Sequence, residues 1–186
     1  MKTKEKIIDE SIKLFADNGF EGTSMASIAK QLGFTKASLY AHYENKMALF
    51  EGCLDKIADE QIEFTTQIMK DPKLNKAHDK LYNLLKNCSL IVSEKKYSFF
   101  NRFYYMPPIE LKDVIESRLE KATITCNELI FTTIKDAVNN GEMDNQLSVE
   151  EITNSYKCLM NGVSCRVDTY QNFDSIWKIF WRGVKA

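Results

Sequence analysis

Lys36 and Tyr40 stand four residues apart in the stretch "GFTKASLYAHYENKMALF", residues 33–50. On a helix that spacing puts an ammonium and a phenol on one face, as two hydrogen-bond donors side by side. Ala37 and Ser38 between them are small, so the helix backbone can come close to whatever that face meets. Leu39 and Tyr43, also four apart, occupy a neighbouring face and point toward a core. Lys46 falls where a further helix should begin, and free amides with a positive dipole end favour a phosphate there. This chemistry recognises; it does not turn over a substrate. The chain has only two histidines, His42 and His78, and no Gly-rich phosphate loop, no H-E-x-x-H and no nucleophile elbow. An enzyme is therefore not expected, nor a cofactor or a metal.

Composition narrows the class further. The 186 residues carry a formal net charge of −1, so any nucleic-acid contact must be local. Residues 1–46 hold seven Lys and six Asp/Glu, too small an imbalance to argue from. The five cysteines (53, 88, 126, 158 and 165) form no C-x-x-C pair, which reads as buried packing with reduced thiols. Cys158 and Cys165, seven apart, share a helix face but stand too far apart along it for a disulfide, so a thiol sensor is disfavoured. The start, "MKTKEKIIDESIKLF", has no apolar signal region, and no run approaches 18 apolar residues. A cytoplasmic protein is expected.

Stepping along the chain, the apolar period is helical almost throughout, and the expected fold is all-α with about nine helices. A first helix spans Lys4 to about Asn18, ending at Gly19. A second runs from Ser24 to Leu32 with Thr23 as N-cap and Met25, Ile28, Ala29 and Leu32 inside. Thr35 caps a third from Lys36 to about Tyr43, and Asn45 caps a fourth that stops at Asp71-Pro72. Further helices are expected at about 76–92, over "YSFFNRFYYM", at about 108–139, after a Ser148/Glu151 capping box, and over "FDSIWKIFWRGV". A boundary near residue 46 separates short helices from long ones, giving domains 1–46 and 47–186.

The second and third helices are short and are joined through Gly33-Phe34, which makes residues 24–43 a helix-turn-helix unit. In that unit the second helix enters the major groove. The run "IIDESIKLFADNGFEGTSMASIAKQLGFTKASLYAHYENKMALF" resembles the DNA-binding domain of the TetR/AcrR family of bacterial transcriptional regulators. The resemblance rests on "LF…GF…T", "IA…LG" and "LY.HY..K", and covers about a quarter of the chain strongly. Family sequences often carry Phe at the position of Tyr43 and Tyr at that of Ala41. The resemblance implies that Thr23, Ser24 and Met25 open a helix near the DNA backbone. It implies that Thr35, Lys36, Ala37, Ser38 and Tyr40 face the major groove or its flanking phosphates. His42, Tyr43 and Lys46 would position the domain. Lys36 is the best base-reading candidate, because Lys or Arg to guanine is the commonest specific pairing.

The larger part should dimerise, since two half-sites bind where one binds weakly. Its last two helices offer Tyr156, Met160, Val163, Val167, Ile176, Trp177, Phe180 and Trp181, with large aromatics of the kind enriched at interface cores. The resemblance agrees, as family dimers pair these helices into a four-helix bundle. Ile57, Gln61, Phe64, Cys88, Ile91, Phe100, Phe103, Tyr104, Thr123 and Asn127 are candidates for a mostly apolar ligand pocket, though such an aromatic cluster equally makes a closed core. The resemblance implies an inducer that enters the bundle and changes the spacing of the recognition helices. The resulting expectation is a homodimeric repressor on a palindromic double-stranded DNA operator, released by a small, mostly apolar effector. The alternative is a DNA-binding regulator without such an inducer, controlled by a protein partner or acting as an activator.

Overall fold

A computed structural model describes residues 3–90, 95–165 and 172–186. Nine α-helices lie within them: α1 (Thr3–Asn18), α2 (Met25–Leu32), α3 (Lys36–Tyr40), α4 (Lys46–Met69), α5 (Ala77–Leu90), α6 (Lys95–Tyr104), α7 (Lys112–Asn139), α8 (Val149–Cys165) and α9 (Phe173–Val184). A 3-10 turn, Ile109–Leu111, follows Pro108 and leads into α7, where one long helix from Pro108 was expected. The fixed φ of Pro108 starts the tighter turn, and the α-helix takes over at Lys112. The all-α expectation holds.

Local chemistry explains most of the ends. Asn45 Oδ1 accepts the Ala48 amide at 2.8 Å and caps α4. Ser148 and Glu151 form the expected reciprocal box at the start of α8, with Glu151 accepting the Ser148 amide at 2.8 Å. Those bonds hold the Glu151 carboxyl below its ordinary pKa. The start of α5 is closed from a distance, since the Glu142 carboxylate accepts the Ala77 and His78 amides at 3.0 and 2.9 Å.

The chain forms two compact units. The first comprises Met1–Glu60 with Glu94–Lys121, so the boundary expected near residue 46 falls inside it, at the start of α4. Its core is aromatic. Phe50 meets Phe15, Phe99 and Phe103 with ring centres 5.2, 5.7 and 4.8 Å apart. Ile7, Ile12, Ile28, Leu39 and Leu54 surround them, each at most 1% exposed. Helix α6 packs along α1 and is tied to its neighbours by cations: Lys95 pairs with Asp17, and Lys96 with Glu60 at 2.7 Å. The sequence left Phe103 open as a pocket residue, but at 1% exposure it belongs to this closed core.

The second unit comprises Gln61–Ser93 with Ala122–Ala186. Leu81, Leu84, Leu85, Ile130, Ile134, Ile152, Tyr156 and Trp177 fill its core. Two polar tips are satisfied inside it. The Tyr156 hydroxyl donates to the Leu81 carbonyl at 2.8 Å, and Trp177 Nε1 donates to His78 Nε2 at 2.9 Å. Tyr156, Val163 and Trp177 were expected at a dimer surface; at 0, 2 and 4% exposure they are core of their own chain instead. Among the described residues no helix is long and apolar enough to cross a membrane.

Candidate nucleic-acid interface

The turn between α2 and α3 is built from capping chemistry. Ser24, extended at φ −125°, accepts the Ser27 amide at 3.0 Å, while Ser27 Oγ receives the Ser24 amide at 3.0 Å. Ser24 is therefore the N-cap of α2, where the sequence pointed to Thr23. The Thr23 hydroxyl lies within reach of two carbonyls instead, Gly19 at 2.8 Å and Leu14 at 3.1 Å. Gly33 closes α2 with φ at +69°, a conformation that costs a side chain and suits glycine. The Phe34 amide reaches back to the Ala29 carbonyl at 2.8 Å, completing the helix end. Thr35 Oγ1 then accepts the Ser38 amide at 3.1 Å and starts α3.

Helix α3 is five residues long and ends at Tyr40, three residues before the expected Tyr43. The chain turns at Ala41-His42 to reach the Asn45 cap, so the last residues cannot continue the spiral. Only Leu39 of the five is buried, at 0% exposure. Lys36, Ala37, Ser38 and Tyr40 all face outward, with Tyr40 49% exposed. One apolar anchor thus holds a helix whose other side chains are free to meet a ligand surface. Thr35 and His42 are exposed beside it.

The remaining candidates divide. Met25, 7% exposed, and Thr23, 1% exposed, which were expected to open a helix near the DNA backbone, have their side chains packed inside. Tyr43 is half-buried, with the Lys4 ammonium 5.5 Å from its ring centre, and burial raises its phenol pKa. Lys46 is turned inward, donating to the Phe20 carbonyl at 2.9 Å. Sequence reasoning passed over Lys30 and Gln31, both exposed on the last turn of α2. They lie opposite its apolar stripe, a signal the period already contained.

The candidates for the larger half are scattered. Ile57, 7% exposed, belongs to the first unit, as do Phe100 and Tyr104, which stack on each other at 4.7 Å. Gln61, Phe64, Thr123 and Asn127 are half-buried in the second unit. That unit has an open groove of about 470 Å³ beside α7 and α8, lined by Asn127, Phe131, Thr153 and Lys157 among others. Asn127 alone of the expected pocket set lines it. On α8 and α9, Met160, Ile176, Phe180 and Trp181 are half-buried, and Ile179, overlooked in the sequence, is 74% exposed. Ile91, Val167 and the side chain of Cys88 lie outside the described residues.

Comparison with known proteins bears on the first unit above all. The family described as "Bacterial regulatory proteins, tetR family" matches residues 7–53. The chain is 29% identical over 125 residues to IcaR of Staphylococcus epidermidis, a negative transcriptional regulator of the icaADBC biofilm operon. That match covers 67% of this chain and 65% of the relative, so the chain spans just under two thirds of that protein's length. Among solved structures, Salmonella enterica GusR is similar with a TM-score of 0.77, at 20% identity over 97% of this chain and 92% of that one. FadR of Bacillus subtilis, solved with stearoyl-CoA, gives 0.73 at 19% identity over 96% and 98%. At such identities the likeness is one of fold.

Proposed function

We propose that the chain, whose residues 7–53 match the tetR family of bacterial regulatory proteins, is a regulator of that family: a homodimeric repressor released from a palindromic operator by a small, mostly apolar effector. It is a transcriptional regulator and not an enzyme. The observation that carries the DNA-binding assignment is α3, capped at Thr35, anchored by Leu39 and outward-facing at Lys36, Ala37, Ser38 and Tyr40. Lys36 reads a base edge in this proposal, while Tyr40, Thr35, Ser24 and His42 hold the register on phosphates. The reading head lies within the first unit, Met1–Glu60 with Glu94–Lys121, and the rest of the chain serves dimerisation and effector binding. The relative IcaR is a negative regulator, which supports repression. FadR was solved with a bound acyl-CoA, which supports effector control. An effector acts only by binding the DNA-incompetent state more tightly than the competent one.

A second reading, control by a protein partner or activation without an inducer, draws support from Phe99 and Phe103. Both are closed into the first unit's core, at 0 and 1% exposure. The test is fluorescence anisotropy with DNA flanking the gene, over a series of salt concentrations. Wild type is expected to select a palindrome with a steep salt dependence. Lys36→Ala should weaken that site by roughly tenfold to a hundredfold and relax selectivity at one base position. Equal binding of palindromic and scrambled DNA by the wild type would remove the proposal.

A further inference from the structure

We infer that Lys46 and Arg102 are positioning residues for DNA binding, acting through the turn between α1 and α2 and not through phosphate contact. The inference rests on the DNA-binding reading above. The last turn of α1 contains no basic residue, so the partial negative charge at its carbonyl end must be met from elsewhere. Arg102 meets it from far along the chain, Lys95 pairs with Asp17 beside it, and Lys46 holds the turn that follows. Arg102 Nη1 on α6 donates to the Ala16 carbonyl at 2.7 Å. Lys46 Nζ at the start of α4 donates to the Phe20 carbonyl at 2.9 Å and sits 4.1 Å from the centre of the Phe20 ring.

The same turn is held twice more. Thr23 reaches the Leu14 and Gly19 carbonyls, and the Phe20 ring packs on Phe50 with centres 5.1 Å apart. The Arg102 guanidinium lies beside Gly19, whose φ is +73°: a Cβ built there would come within 3.6 Å of Arg102 Cζ. Ser24, the cap of α2, follows directly, and only residues 33–35 separate α2 from α3. The turn therefore sets the direction of α2, and α2 sets that of α3. An ammonium held by a carbonyl and a ring keeps its charge but is turned away from direct contact with a phosphate. Removing it changes the fit of the reading head and leaves the count of neutralised phosphates alone.

The experiment compares wild type, Lys46→Met, Lys46→Arg, Arg102→Met and Arg102→Lys, at a temperature where circular dichroism shows all of them folded. Operator and unrelated duplex are each titrated across a salt series. Lys46→Met should weaken operator binding by about tenfold, the effect of one hydrogen bond to a charged group, with little change on unrelated DNA. The slope of log affinity against log salt should be unchanged, and Lys46→Arg should recover most of the loss. Arg102→Met should behave alike, with rescue by Arg102→Lys. The two Met variants combined should lose less than the sum, because they hold one turn. A slope reduced by about one in Lys46→Met, with equal loss on all DNA, means a phosphate contact and overturns the inference. Hydrogen exchange at the Gly19 and Thr23 amides reads the turn without DNA. It should quicken in both Met variants, and unchanged protection overturns the inference even if no operator is found.

Discussion

Thr23 and Ser24 are adjacent hydroxyl residues, each able to cap a helix, and the structure gives them opposite work. Thr23 is 1% exposed and spends its hydroxyl on the carbonyls of Leu14 and Gly19. Thr23→Val keeps the shape and removes that donor. We expect a loss of about 1–3 kcal/mol in urea unfolding, mostly restored by Thr23→Ser. Cys53 poses a different question, because its thiol is fully buried against the Ile8 carbonyl. Burial first, and then the charge of Asp9, push its pKa well above the ordinary value. The folded state therefore keeps a proton that the unfolded chain releases, so stability should fall as pH rises above about 8.5. Cys53→Ala should flatten that decline. In alkylation at pH 8, exposed Cys158 should react in the native protein, and Cys53 only on unfolding.

Helix ends were the most legible elements, because their partners are local. The caps at Thr35 and Asn45, the Ser148/Glu151 box and the left-handed glycines at 19, 33 and 141 all involve residues within a few positions. Two features of the same kind escaped because their partners are remote. Glu142 closes α5 across 64 and 65 positions, and Arg102 reaches Ala16 across 86. Neither is written in any window of sequence. The early end of α3 escaped for another reason: Leu39 and Tyr43 share a face, so the period carries on past the point where the chain turns toward Asn45. Ser24→Ala should cost about 1 kcal/mol of stability. Gly33→Ala should cost a similar amount, purely from its φ of +69°, since nothing lies within 4 Å of a Cβ there. Chemical denaturation of both variants measures these costs.

At the scale of the molecule, the outward-facing side of α3 was legible and the packing of the larger half was not. A five-residue helix has one inner position, and Leu39 declares itself. From Phe99 to Tyr105 five aromatics crowd into seven residues, and nothing local says that Phe99 and Phe103 turn into the core while Phe100 and Tyr104 stack on each other. The same ambiguity put Tyr156 and Trp177 on the expected dimer face and overlooked Ile179. If α9 pairs two copies, Ile179→Asp should convert the dimer to monomer in size-exclusion chromatography with light scattering, and operator affinity should fall with it. The first unit is assembled from Met1–Glu60 and Glu94–Lys121, and Phe50 depends on Phe99 and Phe103 for two of its ring partners. On a ribosome, then, the segment that reads DNA emerges first and waits. It stays without Phe99 and Phe103 until about forty more residues have been made. A fragment cut at residue 60 should unfold without cooperativity, and a synthetic peptide covering 95–121 should restore the transition. Evolution is correspondingly less free to swap this reading head between proteins than its short motif suggests, because part of its interior is supplied from the other side of α5.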